Sequence, residues 1–332
     1  MTTEVACWRV LVADKGFSLT CRDLAPRFPT LELTSADDAH DARALASEGV
    51  DALVTSGAPV GEHLLEALPD LRLVIKLGRN YSNVDVEALR RRHVRFVSVP
   101  RKGPNCVAEL ALTLILALSK DLLTAHESVV KGAYRLRGLR PEPSSQTKHA
   151  FQWMHNTRVH EVSGKTLGIV GVGEIGYELA RRASVMGMRI LYYKRHPLTA
   201  ELAQSIGAEY RDLPALLTES DYVCLAVPLT EETTNLIGPA ELSLMRPTAF
   251  LVNVCRGGVV DETALAHVLA ENRIAGAGLD VYRQEPLPAD SPLNRLDNVI
   301  LMPHLGGGTG SSYAFELGEG LTEAARLLSE RK

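Results

Sequence analysis

The chain has 332 residues, 45% of them hydrophobic and 23% charged, with a formal net charge of −4. That length supports two domains with real cores, and the balance is that of an ordinary globular protein. Mild acidity without a basic run excludes a nucleic-acid surface. The most apolar stretch, 107–118, is too short for a bilayer and carries Glu109, so no membrane association is expected.

The pattern of apolar residues predicts a strand at 8–13 and a helix ending over 24–29. A helix at 39–48 closed by Gly49 and a strand at 51–55 follow. A helix at 62–68 stops at Pro69. Then come a strand at 71–77, a helix at 86–92 and a strand at 94–99. A long helix is predicted over 107–131, its apolar residues dense enough to be buried against two neighbours. The segment 135–156, rich in Pro, Ser, Gln and charge, reads as a loop excursion. A second alternating series begins at residue 165. It has strands at 222–226, 249–253, 275–280 and 299–302, with helices at 213–217, 241–245 and 262–271 between them. A last helix, 310–329, is expected to return to the first domain. Strands alternating with helices imply α/β architecture: two Rossmann-like domains, each a doubly wound parallel sheet, with a cleft between them.

The second series opens on an apolar strand that runs into Gly171-Val172-Gly173-Glu174-Ile175-Gly176, followed by a helix-forming stretch at 177–186 and Gly187. Strand, glycine turn and helix make a phosphate cradle. Gly171 permits the turn, Gly173 lets the backbone approach a pyrophosphate, and Gly176 lets helix and strand pack closely. The helix N-terminus adds N–H groups and partial positive charge. The next strand, 188–193, ends in Tyr193-Lys194-Arg195-His196. An NAD-binding unit carries a carboxylate there for the ribose hydroxyl, whereas Lys194 and Arg195 would attract a 2′-phosphate. NADP(H) is therefore expected over NAD(H), which stands as the second choice.

Three further blocks start where predicted strands end, at the sheet edge where parallel α/β proteins bind ligands. They are Asn253-Val254-Cys255-Arg256-Gly257-Gly258, Gly278-Leu279-Asp280-Val281-Tyr282-Arg283-Gln284-Glu285-Pro286 and Pro303-His304-Leu305-Gly306-Gly307. A dehydrogenase of 2-hydroxy or 2-oxo acids needs a cation to grip the carboxylate, a proton donor for the nascent alkoxide and a carboxylate behind that donor. Arg256, His304 and Glu285 fit these roles in that order. The five cysteines, Cys7, Cys21, Cys106, Cys224 and Cys255, form no Cys-x-x-Cys pair. That pattern indicates free thiols, no metal site and a cytoplasmic protein.

These blocks, with Leu77-Gly78-Arg79-Asn80-Tyr81-Ser82-Asn83-Val84-Asp85, Val107-Ala108-Glu109 and Pro228-Leu229-Thr230-Glu231-Glu232-Thr233, resemble the D-isomer-specific 2-hydroxyacid dehydrogenase family along nearly the whole chain. The resemblance implies a substrate domain made of 1–106 and 304–332, with a dinucleotide-binding domain, 107–303, inserted between them. It implies Glu174 and Ile175 at the pyrophosphate, and Val227, Pro228 and Thr233 on the adenosine side. Asp280 would lie at the nicotinamide carboxamide, and Val254, Cys255, Gly306 and Gly307 would join the cofactor set. Gly78, Arg79 and Asn80 would hold the substrate carboxylate together with Arg256 and His304. Lys76 stands where phosphite dehydrogenases of the family carry a substrate-binding lysine, though a lysine pointing to water is the favoured reading. Asn80 and Ser82 depart from the family's usual glycine and aspartate. The family is typically dimeric. The expected function is a D-specific, NADP-dependent reductase of small 2-oxo acids such as glyoxylate or hydroxypyruvate. The alternatives are a phosphite- or phosphoglycerate-type dehydrogenase and a dinucleotide-sensing, corepressor-like interaction protein.

Overall fold

The computed structural model describes residues 7–14, 17–36, 49–78, 81, 83–144, 147, 152–307 and 312–330. It divides into two compact units, one formed by Met1–Gly103 with Gly308–Lys332 and the other by Pro104–Gly307.

Among the described residues the first unit holds five parallel strands, β1 (Trp8–Ala13), β2 (Leu31–Ala36), β3 (Ala52–Thr55), β4 (Leu73–Leu77) and β5 (Arg95–Val99), in the order β2-β1-β3-β4-β5. Every residue of β3 and β4 is buried. Both faces are covered, so these strands read as unbroken apolar runs rather than alternating ones. Successive side chains serve opposite cores. Val10, Val54 and Ile75 pack with Leu317, Leu321 and Ala324 of the C-terminal helix Ser312–Ser329. Leu11, Leu53 and Val74 pack with Leu64, Leu65 and Leu89 of helices Glu62–Ala67 and Val86–Arg91. A side chain at Gly320 would meet Leu77 at 2.7 Å, so the C-terminal helix lies tight on the sheet.

Two readings need correction here. The helix expected to end over 24–29 is Ser18–Leu24, followed by a 3-10 turn Ala25–Arg27 in which Pro26 has no amide hydrogen to continue the ladder. Strand β2 was not anticipated. It is an edge strand buried only at its two ends, Leu31 and Ala36, with Thr34 and Ser35 between. The helix expected at 39–48 lies outside the described residues.

Among the described residues the second unit holds seven parallel strands in the order β12-β11-β10-β9-β6-β7-β8. They are β6 (Thr166–Val170), β7 (Arg189–Tyr193), β8 (Ala208–Tyr210), β9 (Tyr222–Leu225), β10 (Phe250–Asn253), β11 (Gly276–Leu279) and β12 (Val299–Leu301). The order reverses between β6 and β9, which makes their C-terminal ends the topological switch point. The short helix Ala200–Ser205 and edge strand β8 were not anticipated.

The single helix expected over 107–131 is two helices, Gly103–Ser119 and Leu122–Val130. Asp121 sits between them in the left-handed region with φ of 48°, which a right-handed helix cannot pass through. Its carboxylate accepts from Asn156 Nδ2 at 2.7 Å and pairs with Arg158 at 2.8 Å. Only the first helix is buried as expected; no residue of the second is.

Candidate active site

The glycine turn leaves β6 at the switch point. Gly171 has φ of 96°, and a side chain there would meet the Ala226 carbonyl oxygen at 2.8 Å and Val227 Cγ1 at 2.5 Å. A side chain at Gly176 would lie 2.3 Å from the Gly171 carbonyl oxygen, so that glycine sets how closely helix Glu174–Val185 approaches the strand. Gly173 differs. It is exposed, and a side chain there would meet nothing within 4 Å. Gly173 caps the helix without a side-chain hydrogen bond. Uncapped amides at a helix start, with open space over the middle glycine, fit a pyrophosphate. Glu174 and Ile175 are half-buried in the helix's first turn.

The Gly171 amide donates to the Tyr193 carbonyl at 2.9 Å, so the basic loop begins beside the glycine turn. Lys194 is half-buried, and Arg195 and His196 are exposed. Across from them, the Thr233 hydroxyl donates to the Pro228 carbonyl at 2.6 Å and accepts from the Thr230 amide at 2.7 Å. The Glu232 carboxyl is held below its ordinary range chiefly by the Thr230 hydroxyl, with a smaller contribution from the charge of Arg195. Arg195 therefore lies within electrostatic reach of the 230–233 loop.

The His304–Glu285 pair is assembled by loops leaving β11 and β12. His304 Nδ1 lies 2.6 Å from Glu285 Oε2. A carboxylate only accepts, so Nδ1 carries the hydrogen and Nε2 is the ring nitrogen that does not face Glu285. The other Glu285 oxygen accepts from the Tyr282 amide at 3.0 Å. Burial pushes the Glu285 carboxyl up. The hydrogen bonds from His304 and Tyr282 and the charges of His304 and Arg256 outweigh it, leaving the carboxyl below its usual range. Tyr282 spans the two loops, its hydroxyl 2.8 Å from the Met302 carbonyl and 3.2 Å from that of Leu279. Burial raises that phenol to about 12.

Asp280 was expected at the nicotinamide carboxamide. It is 1% exposed, and its two carboxylate oxygens accept from the Leu305 amide at 2.7 Å and the Gly306 amide at 2.8 Å. It therefore clamps the chain immediately after His304, whose φ is 55°. Gly306 is buried under that clamp, and a side chain there would come within 2.9 Å of Asp280 Oδ2; Gly307 is exposed and open. Sequence reading missed this clamp. The signal was present as an Asp at a strand end and a glycine pair after the His, but which backbone they join is a tertiary fact.

Arg256 follows β10. Buried Asn253 shapes its turn, accepting from the Cys255 amide at 3.1 Å and donating to the Arg256 carbonyl at 3.1 Å. A side chain at Gly257 would lie 1.9 Å from the Tyr282 carbonyl carbon, so the Arg256 loop rests directly on the loop that carries Glu285. Arg256 is exposed and donates from Nη1 to the Cys255 carbonyl at 2.7 Å. Val254 and Cys255 have buried side chains; the thiol donates to Asn253 Oδ1, and burial pushes it up to about 11. The amide and carbonyl of Cys255, like its sulfur, are thus spent on shaping this turn.

In the first unit Gly78 follows β4 with φ of 100°, its amide donating to the Val99 carbonyl at 2.7 Å. Arg79, Asn80 and Ser82 lie outside the described residues. Lys76 does not point to water. It is part of β4, 3% exposed, and its ammonium donates to the Leu77 carbonyl at 2.6 Å. A central strand covered on both faces gives its side chains no route to solvent.

A doubly wound dinucleotide-binding unit with an Arg, Glu and His at its carboxyl edge defines a nicotinamide-dependent dehydrogenase of hydroxy acids. Comparison with known proteins agrees. Residues 112–306 match the family model "D-isomer specific 2-hydroxyacid dehydrogenase, NAD binding domain". The chain is 42% identical over 275 residues to the glyoxylate reductase of Thermococcus gammatolerans, covering 82% of this chain and 77% of the relative. It is 40% identical over 259 residues to glyoxylate/hydroxypyruvate reductase B of Enterobacter sp., covering 77% and 75%. Among solved structures it resembles an NADPH-dependent glyoxylate/hydroxypyruvate reductase from Sinorhizobium meliloti in complex with NADP and malonate. That likeness has a TM-score of 0.63 and 28% identity, and covers 98% of this chain and 95% of the other. The chain belongs to the D-isomer-specific 2-hydroxyacid dehydrogenase family. It is an oxidoreductase that uses a nicotinamide dinucleotide and acts on 2-oxo and 2-hydroxy acids. Among the described residues no helix is long and apolar enough to cross a membrane.

Proposed function

We propose that this enzyme is a D-specific, NADPH-dependent reductase of small 2-oxo acids, with glyoxylate and hydroxypyruvate as its first substrates and NAD(H) as the poorer cofactor. The observation that carries the reading is the 2.6 Å contact between His304 Nδ1 and Glu285, which leaves Nε2 to deliver a proton. The names of the relatives support the substrates, and the Lys194-Arg195 loop beside Gly171 supports the phosphorylated cofactor.

The glycine turn, Glu174, Ile175 and the 227–233 loop would hold the dinucleotide, with Lys194 and Arg195 taking its 2′-phosphate. When bound and reduced, the nicotinamide supplies the hydride. Arg256 grips the substrate carboxylate and draws electron density toward the carbonyl oxygen. His304 Nε2 donates the proton that turns that oxygen into a hydroxyl. Glu285 keeps the ring oriented and stabilises its cationic form. We place the enzyme in the cytoplasm as a homodimer. The helix Leu122–Val130 supports the dimer, since it buries none of its own residues and exposes Leu122, Leu123, Val129 and Val130.

Assay of a 2-oxo acid panel with NADPH and NADH tests the reading. We expect turnover of glyoxylate with NADPH, and its loss in His304→Ala while NADPH still binds. Activity that survives in His304→Ala would reject the proton role. Tight dinucleotide binding without turnover of any 2-oxo acid would favour a sensor instead.

A further inference from the structure

The stretch of chain that leads into His304 has few anchors of its own. Strand β12 ends at Leu301, and Pro303 has no amide hydrogen to donate. His304 then takes φ of 55°, a left-handed backbone that costs energy for a residue with a side chain. Asp280 holds that backbone from the C-terminal side, through the Leu305 and Gly306 amides. On the N-terminal side the anchor is Met302. Its amide donates to the Leu279 carbonyl at 2.8 Å, and its carbonyl accepts from the Tyr282 hydroxyl at 2.8 Å.

A phenol has one hydrogen to give, and two carbonyls are in reach. That of Leu279 is the farther, at 3.2 Å, and already accepts the Met302 amide, so the hydrogen goes to Met302. The amide of the same tyrosine donates to Glu285 Oε1 at 3.0 Å, and Glu285 Oε2 lies 2.6 Å from His304 Nδ1. These contacts close a ring that runs from the Tyr282 hydroxyl through Met302, Pro303 and His304 to Glu285 and back to the Tyr282 amide. Every member belongs to the second unit. The tyrosine ring is 8% exposed and lies in the core that holds Leu279 and Leu293. Phenylalanine would therefore keep the packing and the Glu285 amide contact, and lose the bond to Met302.

From this ring of contacts we infer that the Tyr282 hydroxyl is a positioning group for proton transfer, fixing the backbone before His304 and with it the angle at which the imidazole meets Glu285. The inference rests on the reductase reading and adds a residue to its site. The described charges that act on Tyr282 or Glu285 are those of Arg256, Glu262, Asp280 and His304. Removing a neutral hydroxyl alters none of them, so a change in His304 reports its position.

Tyr282→Phe tests it by kinetics and by proton NMR. With NADPH and glyoxylate, kcat should fall at least fivefold while KM and NADPH affinity stay within twofold. A looser contact with Glu285 stabilises the imidazolium less, so the alkaline limb of the pH–rate profile for reduction should move to lower pH. The His304 Nδ1 proton, identified by its absence from His304→Ala, should give a downfield line in the wild type that broadens or moves upfield in Tyr282→Phe. Tyr282→4-aminophenylalanine, which returns a donor to the ring, should recover part of both. An unmoved NMR line with kcat within twofold of wild type overturns the inference, however far the melting temperature falls. Should Tyr282→Phe fail to fold, Tyr282→4-fluorophenylalanine fills the hydroxyl's space without a donor, and wild-type values there overturn the inference equally. The NMR arm needs no substrate. If no 2-oxo acid turns over but the line still depends on the hydroxyl, the reductase reading fails while the positioning of His304 by Tyr282 stands.

Discussion

His304 is fixed twice, at the ring by Glu285 and at the backbone by the Asp280 clamp on the two amides that follow it. The two constraints predict different phenotypes. Glu285→Gln keeps a hydrogen-bonding group but removes the charge that stabilises an imidazolium. The alkaline limb of the pH–rate profile for reduction should shift to lower pH, and kcat should fall by about 10²-fold, within the range for acid–base groups. Asp280→Asn replaces one acceptor with a donor facing an amide, so the backbone after His304 must move. We expect kcat to fall at least tenfold, about 1.4 kcal/mol, with NADPH affinity, measured by fluorescence titration, changing far less. The sign of the stability effect also follows. The folded Glu285 carboxyl lies below its ordinary range, so its contribution is present above that range and is lost as pH falls through the folded value. Melting temperatures of wild type and Glu285→Gln should converge in acid and separate at neutral pH.

Elements were legible in the sequence where their burial was complete. Strands β4, β6 and β9 are covered on both faces and announce themselves as apolar runs. Strands β2 and β8 lie at sheet edges, and their mixed polar residues carry no comparable period. The break at Asp121 was hidden for another reason. Apolar residues continue through Leu122 and Leu123, and only the left-handed backbone of Asp121 interrupts the helix. Close approaches between elements are likewise invisible along the chain. Gly257 reads as a loop glycine, yet the Arg256 loop rests on Tyr282 only because it has no side chain. Gly257→Ala should therefore cost about 1–3 kcal/mol from overpacking, seen in urea denaturation, and should depress kcat/KM by displacing Arg256 from Glu285.

For the whole molecule, the glycine cradle and the Arg, Glu and His blocks could be read because each is a short motif at a strand end. Lys76 could not, since nothing local distinguishes a buried strand lysine from a surface one. Two predictions belong to this scale. Replacing Lys194 and Arg195 with Asp and Ser should shift the ratio of kcat/KM for NADPH over NADH toward NADH by at least tenfold; an unchanged ratio would place the 2′-phosphate elsewhere. Replacing Leu123 and Val130 with Asp should convert the proposed dimer to monomer in light scattering, because two charges cannot be buried unpaired at an apolar seam.

Arg256, Glu285 and His304 all stand on the ends of three neighbouring strands of one sheet, β10, β11 and β12, and are braced by Asn253, Asp280 and Tyr282 from that same sheet. The three side chains to which we assign proton transfer and substrate binding therefore move as one with that sheet. A chimera that keeps 104–307 and borrows its flanking segments from a relative should keep the His304–Glu285 contact and the Asp280 clamp intact.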